Sequence, residues 1–382
     1  MKLNGSDIIA EVLIEHGVDT VFGYPGGAVL NIYDALYKYR DKIHHILTAH
    51  EQGASHAADG YARATGKTGV VIATSGPGAT NLVTGIATAY MDSVPMVAIT
   101  GNVGTSLIGR DAFQEVYITG ITMPITKHNF MVQDISELAD ILREAFRIAN
   151  SGRKGPVLVD IPKDVTAAIT DFEPETPKPI EDNTVLIPEK LEEAAKYINA
   201  AHRPVIEIGG GVVSSEASDL VRELVEKAGI PACHTLMAAG VLGYSEPLNY
   251  GLVGMHGSYV TNKAIDEADC LLAIGTRFSD RVALNTDRFA NKAKVIQIDI
   301  DQSEINKNVM VDTYLTGDIK TILTALMPLI KPAEHKDWLT TLDEYKKDDY
   351  VPVDSSDHIT PHQLVRAICE DTDKDTIYVT DV

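Results

Sequence analysis

The sequence is poor in positive charge, in cysteine and in aromatic side chains. It carries 33 Lys and Arg against 54 Asp and Glu, a formal net charge of -21. Nucleic acid and anionic membranes would be repelled by that balance, so neither is expected as a main partner. Small anionic ligands stay allowed, because they meet only the local field of a cleft. The three cysteines, Cys233, Cys270 and Cys369, lie far apart without CxxC spacing. That argues against a disulfide framework and a zinc site, and the expectation is three buried thiols in a reducing compartment. No apolar run reaches membrane-spanning length, and the polar start Met1-Lys2-Leu3-Asn4 does not read as a signal peptide. The expected location is cytoplasmic. The histidines at 44, 45, 50, 56, 128, 234 and 256 show no metal-ligand spacing, so no metal-binding residue is expected among them. No GxSxG element points to hydrolysis.

What is present is an alternation of strands and helices over 382 residues, enough for two or three domains. The fold class expected is α/β, with two doubly wound, parallel-sheet, Rossmann-like domains and the start of a third. In residues 1–165 strands are expected at 20–23, 43–49, 69–74, 94–100 and 155–161. Helices are expected at 29–39, from His50 onward and at 134–150, after a first helix capped by Ser6 and buried through Ile8, Ile9, Val12 and Leu13. Residues 166–187 read as a linker, because Glu173–Pro179 is charged and rich in proline. Residues 188–332 repeat the alternation, with a helix at 188–200, strands at 204–208, 270–274 and 295–300, and a helix at 215–228 capped by Ser214 or Ser215. Residues 333–359 read as a connector with one helix near 338–347. From 360 to 382 the pattern restarts: Thr360 caps a helix that has Pro361 at its first position and an apolar face of Leu364, Val365 and Ile368. A strand at 377–380 follows. One helix and one strand cannot form a core, so the rest of a third α/β domain is expected outside the chain.

Three stretches carry chemistry. Glu51 stands between a strand expected to be buried and the first turn of a small-residue helix, where α/β proteins bind ligands; it also suits the helix dipole or a cap there. Ser75-Gly76-Pro77-Gly78 lets backbone approach a ligand at a strand-to-helix junction, or lets helix and strand pack closely. Gly209-Gly210-Gly211 follows a strand and opens a helix, but Ser214 stands where GxGxxG has its third glycine. Loops at Met255-His256-Gly257 and Gly275-Thr276-Arg277 fall at the same expected sheet edge. Asp299 and Asp301 end a strand, where acids bind ribose hydroxyls or cap the next turn.

Taken in order, Val21–Ala28, the His50-Glu51 helix, Ser75–Asn81 and Asp111-Ala112-Phe113-Gln114-Glu115 resemble the thiamine-diphosphate enzymes. Ile125–Asn129, Asp160–Asp164 and Gly254–Gly257 bring the resemblance to the acetolactate (acetohydroxyacid) synthase large subunit, along essentially the whole chain. That resemblance implies a pyrimidine-binding first domain in which Glu51 is the catalytic glutamate, hydrogen-bonded to the pyrimidine ring. It implies decarboxylation of pyruvate on thiamine diphosphate and transfer of the hydroxyethyl unit to pyruvate or 2-ketobutyrate, the first common step of branched-chain amino-acid biosynthesis. Gln114 and Lys163 match catalytic positions; Phe113, Lys127, Lys163 and Arg277 match substrate-proximal ones, the arginine through its bidentate fork. Tyr24, Pro25, Gly26, Glu51, Ser75, Gly76, Pro77 and Asn81 match thiamine-diphosphate positions. The second domain would bind FAD, with contacts matching Arg153 and the glycines Gly209, Gly210 and Gly211. Further FAD matches are Thr235 and Leu236, then Met255, His256 and Gly257, then Gly275, Arg277 and Arg281, and last Asp299, Ile300 and Asp318. The family assembles as a homodimer or homotetramer and works with a separate regulatory small subunit.

One departure stands out. The family's Gly-Asp-Gly motif and following asparagine, which hold Mg2+ and the diphosphate, do not occur here, and Asp381-Val382 resembles the strand before them. The chain would carry half of the site and not hold thiamine diphosphate tightly alone; turnover by the isolated chain would disprove this. The competing readings are a related FAD-containing enzyme such as pyruvate oxidase or glyoxylate carboligase, and a non-catalytic flavin-binding fragment. Glu51 argues against the carboligase, which lacks a glutamate there.

Overall fold

The computed structural model describes residues 1–350, 352–373 and 375–380. The chain divides into two compact units, Met1–Asn183 and Thr184–Val382.

The first unit has strands β1 (Lys2–Asn4), β2 (Thr20–Gly23), β3 (His44–Leu47), β4 (Gly69–Ala73), β5 (Met96–Asn102), β6 (His128–Met131), β7 (Pro156–Pro162) and β8 (Ile169–Asp171). Six of them form a parallel sheet in the order β3-β2-β4-β5-β7-β6, while β1 and β8 pair antiparallel. β4, β5 and β7 are buried along their whole length, which explains their unbroken apolar runs. One face is covered by large side chains, among them Ile8, Val12, Leu36, Leu138 and Leu142. The other is covered by Ala54, Ala58, Ala62 and Ala79, so the Glu51–Thr65 helix lies close against the strands.

Several expectations are corrected here. The strand before Glu51 is not buried: β3 is the sheet's edge, and Leu47 is 63% exposed. Ser6 does not cap the first helix, Gly5–Glu15. Asn4 does, its Oδ1 accepting from Asp7 N at 2.8 Å, while Ser6 Oγ donates to the same oxygen. The stretch from 166 is not all irregular, since β8 and the buried Phe172 belong to the first unit. Arg143 then holds the chain by donating to Glu173 O and pairing with Glu175 and Glu15.

The second unit has β9 (Pro204–Ile208), β10 (Ala232–His234), β11 (Asn249–Leu252), β12 (Cys270–Ile274), β13 (Lys294–Asp299) and β14 (Thr313–Thr316). They form a parallel sheet in the order β11-β10-β9-β12-β13-β14. Helices Pro188–Ala200, Ser218–Ala228 and Ile319–Leu326 cover one face. Tyr259–Glu267 and Lys336–Tyr345 cover the other, the latter through the buried Trp338 and Leu342. Trp338 Nε1 donates to Pro204 O at 3.1 Å, so this helix is part of the core rather than a loose connection. Neither Ser214 nor Ser215 caps the helix that follows the glycines. A short helix, Gly210–Ser214, comes first, Ser215 Oγ donates back to Gly211 O, and Ser218–Ala228 has no side-chain cap.

Thr360 caps Pro361–Asp371 in a reciprocal capping box with Gln363. That helix buries none of its residues: Leu364, Val365 and Ile368 face outward, and Cys369, expected to be buried, is exposed with them. Residues 377–380 form no strand, since no described strand lies beside them to complete a ladder. Asp381 and Val382 lie outside the described residues. Among the described residues no helix is long and apolar enough to cross a membrane.

Candidate functional site

In the first sheet the chain leaves β2 on one side to make β3 and returns on the other side to make β4. The carboxyl ends of β2 and β4 therefore flank the point where strand order reverses, the place where open α/β sheets bind ligands. Tyr24-Pro25-Gly26 follows β2, Glu51 follows β3, and Ser75–Asn81 follows β4. His50 is the N-cap of the Glu51 helix, its Nδ1 accepting from Gln52 N at 3.1 Å. Glu51 is thus released from capping. Its Oε2 accepts from Asn81 Nδ2 at 2.9 Å, and its Oε1 accepts from no donor among the described residues. Glu51 is 8% exposed, so Oε1 is nearly dry but reachable.

Close approach of backbone shapes the surroundings of that oxygen. A Cβ on Gly78 would stand 3.1 Å from Glu51 Oε1 and 2.7 Å from the Thr74 methyl. Thr74 Oγ1 accepts from Ala28 N at 3.2 Å, tying the turn after β2 to the end of β4. Gly76 has φ +58°, and a Cβ there would lie 2.6 Å from Gln114 O. The Phe113-Gln114 loop is thereby brought against the Gly76 turn. Gln114 itself sits at φ +57°, and Phe113 is 86% exposed. Glu115 braces the loop by accepting from Gly109 N and Ala112 N, the Gly109 bond first, and both hold its carboxyl below the ordinary range. Burial, then the Glu51 charge, pushes the Tyr33 phenol up, so Tyr33 stays a neutral donor toward Ile72 O.

The candidate lysines are not alike. Lys163 begins a short helix at the carboxyl end of β7, and its exposed ammonium has no partner among the described residues. Lys127 precedes β6 and stands at the opposite, amino edge of the sheet. Its amine donates to Ser151 O at 2.6 Å and to Ile148 O, and burial, helped by Arg147, lowers it to about 8. The structure of this unit does not bring Lys127 to Glu51. Arg153, on the same amino edge, donates from Nε to Ser93 Oγ at 2.9 Å.

In the second unit strand order reverses between β9 and β12. The predicted residues all fall on that carboxyl edge: the three glycines after β9, Thr235 and Leu236 after β10, Met255, His256 and Gly257 after β11. Gly275, Arg277 and Arg281 follow β12, Asp299 ends β13 with Ile300 beyond it, and Asp318 follows β14. Gly209 N donates to Ile274 O at 2.8 Å and Gly211 N to Gly275 O at 3.1 Å. A Cβ on Gly211 would lie 2.7 Å from Gly275 Cα. These glycines thus let two loops touch, and two of their three amides are already used. Arg277 keeps a guanidinium without a partner among the described residues, whereas Arg281 pairs with Asp280. Asp299 Oδ1 accepts from Asp301 N at 2.9 Å and Asp301 caps the next turn, so both acids do what the capping alternative required, while Asp318 caps Ile319–Leu326.

Residues 3–121 match the family described as "Thiamine pyrophosphate enzyme, N-terminal TPP binding domain", and residues 191–326 match "Thiamine pyrophosphate enzyme, central domain". All of the chain aligns with the acetolactate synthase of Mycobacterium bovis, 47% identical over 393 residues and 63% of that protein. It aligns equally fully with the probable acetolactate synthase large subunit of Methanocaldococcus jannaschii, 47% identical over 397 residues and 67% of its length. The acetolactate synthase isozyme 1 large subunit of Escherichia coli is 43% identical over 385 residues, with 68% of it covered. The chain belongs to the acetolactate synthase large-subunit family of thiamine pyrophosphate enzymes. It spans roughly two thirds of the length of these relatives.

The residues present fit the pyrimidine half of that family's cofactor: a held carboxylate with one free oxygen, beside a cradle that a Cβ on Gly78 would fill. A flavin nucleotide fits the second edge in part, because Arg277 offers an unpaired cation while Gly209 and Gly211 offer no free amide. Among the described residues no group of three or more His, Cys, Asp or Glu could hold a metal ion, so the described residues do not fit a magnesium site. Sequence reasoning gave no role of their own to Thr74, Tyr33 and two buried acids, Asp160 and Glu207. The acids carry a signal in hindsight: each is a lone charge inside an apolar strand run.

Proposed function

We propose that this chain is the pyrimidine-activating and flavin-binding portion of an acetolactate synthase, acting on pyruvate with pyruvate or 2-ketobutyrate as second substrate. The observation that carries the reading is the half-satisfied Glu51 carboxylate. Asn81 occupies Oε2, so a proton shared with a ligand is held at Oε1. Thiamine diphosphate, when bound, supplies the acidic carbon and the electron sink that decarboxylation of a 2-keto acid needs. Gly76, Gly78 and Gly26 shape the floor against which its ring would lie, with Tyr24, Pro25, Ser75 and Pro77 around them. Phe113 and Gln114 form the exposed wall of the site, and Lys163 supplies a free cation for a substrate carboxylate. Arg277 takes the same role, or a nucleotide phosphate, in the second unit.

In this reading residues 1–165 form the pyrimidine domain, 188–332 the FAD domain and 360–382 the start of a diphosphate domain. Mg2+ and the diphosphate are held by the part of the relatives' length that this chain does not span. The assembly is a cytoplasmic homodimer or homotetramer with a regulatory small subunit. The test is product analysis with pyruvate, using the natural protein that contains this sequence. Acetolactate supports the reading; acetyl phosphate with peroxide would replace it by an oxidase. Glu51→Gln should lower kcat by at least about 100-fold, the ordinary contribution of a positioned acid–base group.

A further inference from the structure

Glu207 lies on β9, fully buried and outside every motif discussed above. Register places Cys233, Glu207, Ala273 and Gln297 in one row across β10, β9, β12 and β13. Ala273 leaves room between the two long polar side chains. Both converge on Thr276: its Oγ1 donates to Glu207 Oε1 at 2.7 Å, and Gln297 Nε2 donates to its carbonyl at 3.2 Å. Glu207 Oε2 and Gln297 Oε1 are left buried with no donor. Two orphaned acceptors inside a core are costly. A single proton on Glu207 would make Oε2 a donor and leave one orphaned acceptor fewer.

Among the described residues nothing around the carboxyl supplies a countercharge. The buried residues of the covering helices are Val260, Thr261, Ala264, Ile265, Trp338 and Leu342. Cys233 beside it has its own thiol raised by burial and by Glu207. The His234 ring turns to Thr235 O, and Asp299, further along β13, adds only negative charge. Burial accordingly pushes Glu207 up to about 7, against the opposing bond from Thr276. Thr276 connects this network to the site edge. It follows Gly275, whose carbonyl accepts from Gly211, and it precedes Arg277.

We propose that Glu207 is a positioning residue for the Gly275–Arg277 loop: as a carboxylic acid bridging Thr276 and Gln297, it links nucleotide affinity at this edge to pH. The link to affinity rests on the flavin reading of the second unit; the hold on the loop does not. Loss of the proton turns Glu207 Oε2 into a second buried acceptor beside Gln297, displaces the Gln297 amide from the Thr276 carbonyl and loosens the loop against the glycines.

The test titrates the 382-residue chain with FAD by flavin fluorescence at about pH 6 and about pH 9, on either side of the carboxyl's titration. Amide hydrogen exchange of residues 275–278, corrected for intrinsic rates, is followed in the same samples. The parent should bind about tenfold more weakly at the higher pH, within the usual range of coupling between sites, and lose loop protection in parallel. Glu207→Gln places an amide donor where Oε2 stands, so it should keep tight binding and protection at both values. Loop protection in the parent that does not change with pH overturns the proposal, and so does a Glu207→Gln variant that follows the parent's profile. A parent that binds no FAD yet shows pH-dependent protection abolished by Glu207→Gln supports the positioning role and refutes the flavin reading alone.

Discussion

Replacing Asp160 by asparagine should make the first unit less sensitive to alkali, by an amount the structure sets. Asp160 lies on β7, in register with Thr100 on β5, and is fully buried. Thr100 Oγ1 donates to Oδ1 at 2.7 Å and Asn102 Nδ2 donates to Oδ2 at 2.6 Å. Burial still prevails over these bonds and raises the carboxyl from its ordinary 3.8 to about 7. A folded-state value above the unfolded one means that the stability this group contributes is fully present below pH 3.8 and declines as pH rises toward 7. Three pH units at 1.36 kcal/mol each make a loss of about 4 kcal/mol from this one group. Asparagine has no such titration, and its amide can still accept from Asn102 and donate to Thr100. Any constant cost of the substitution is common to all pH values. The difference in stability between variant and parent should therefore rise by about 4 kcal/mol between about pH 4 and pH 8. Hydrogen exchange of β5 and β7 amides measures it within the first unit, apart from the second. A difference that stays flat across that range would refute the claim that Asp160 is charged at a cost inside the sheet.

Other substitutions test the candidate site. Asn81→Leu removes the donor to Glu51 Oε2 and lets the carboxylate share its proton at either oxygen; kcat in the active protein should fall about 10- to 100-fold, matching the loss of a hydrogen bond to a charged group of about 1.5–3 kcal/mol. Gly76→Ala forces a side chain into φ +58° and against Gln114 backbone. It should cost about 1–3 kcal/mol in denaturant titrations and expose the 105–116 loop to protease. Lys127→Met should destabilise the first unit by about 1–3 kcal/mol, through unmet carbonyls of Ile148 and Ser151 at the C-terminal end of the Leu138–Asn150 helix, with KM for pyruvate unchanged. Lys163→Met should do the reverse, raising KM with little effect on stability, and equal effects of the two on KM would contradict the placement of Lys127.

The frame of both units was readable because buried parallel strands write themselves as apolar runs. Pro204–Ile208 and Cys270–Ile274 were legible to the residue for that reason. Strands with weaker patterns escaped: β6 is four residues with an exposed start, and β10 has three residues. Caps were misread where two polar residues compete. Asn4 and Ser6 both suit the first helix, and only the backbone position of Gly5 decides between them. Amphipathic pattern also fails to say whether a face is covered, and Pro361–Asp371 has the pattern but no burial.

Three of the buried acids show where sequence reasoning meets its physical limit. Glu51, Asp160 and Glu207 each follow or interrupt an apolar run, and nothing in the one-dimensional pattern ranks them. What separates them is the number of donors each finds. Asp160 has two, both side chains of the same sheet, so it is closed to a ligand. Glu207 has one and no route to solvent, so it satisfies its second oxygen by keeping a proton. Glu51 has one as well, but it begins a helix whose first turn His50 already caps, and its second oxygen opens on a glycine-lined cradle. A carboxylate that the protein satisfies by half and leaves reachable is the arrangement that can share a proton with a ligand. That state depends on Asn81, thirty residues away in the chain and adjacent only after β4 has been laid beside β2.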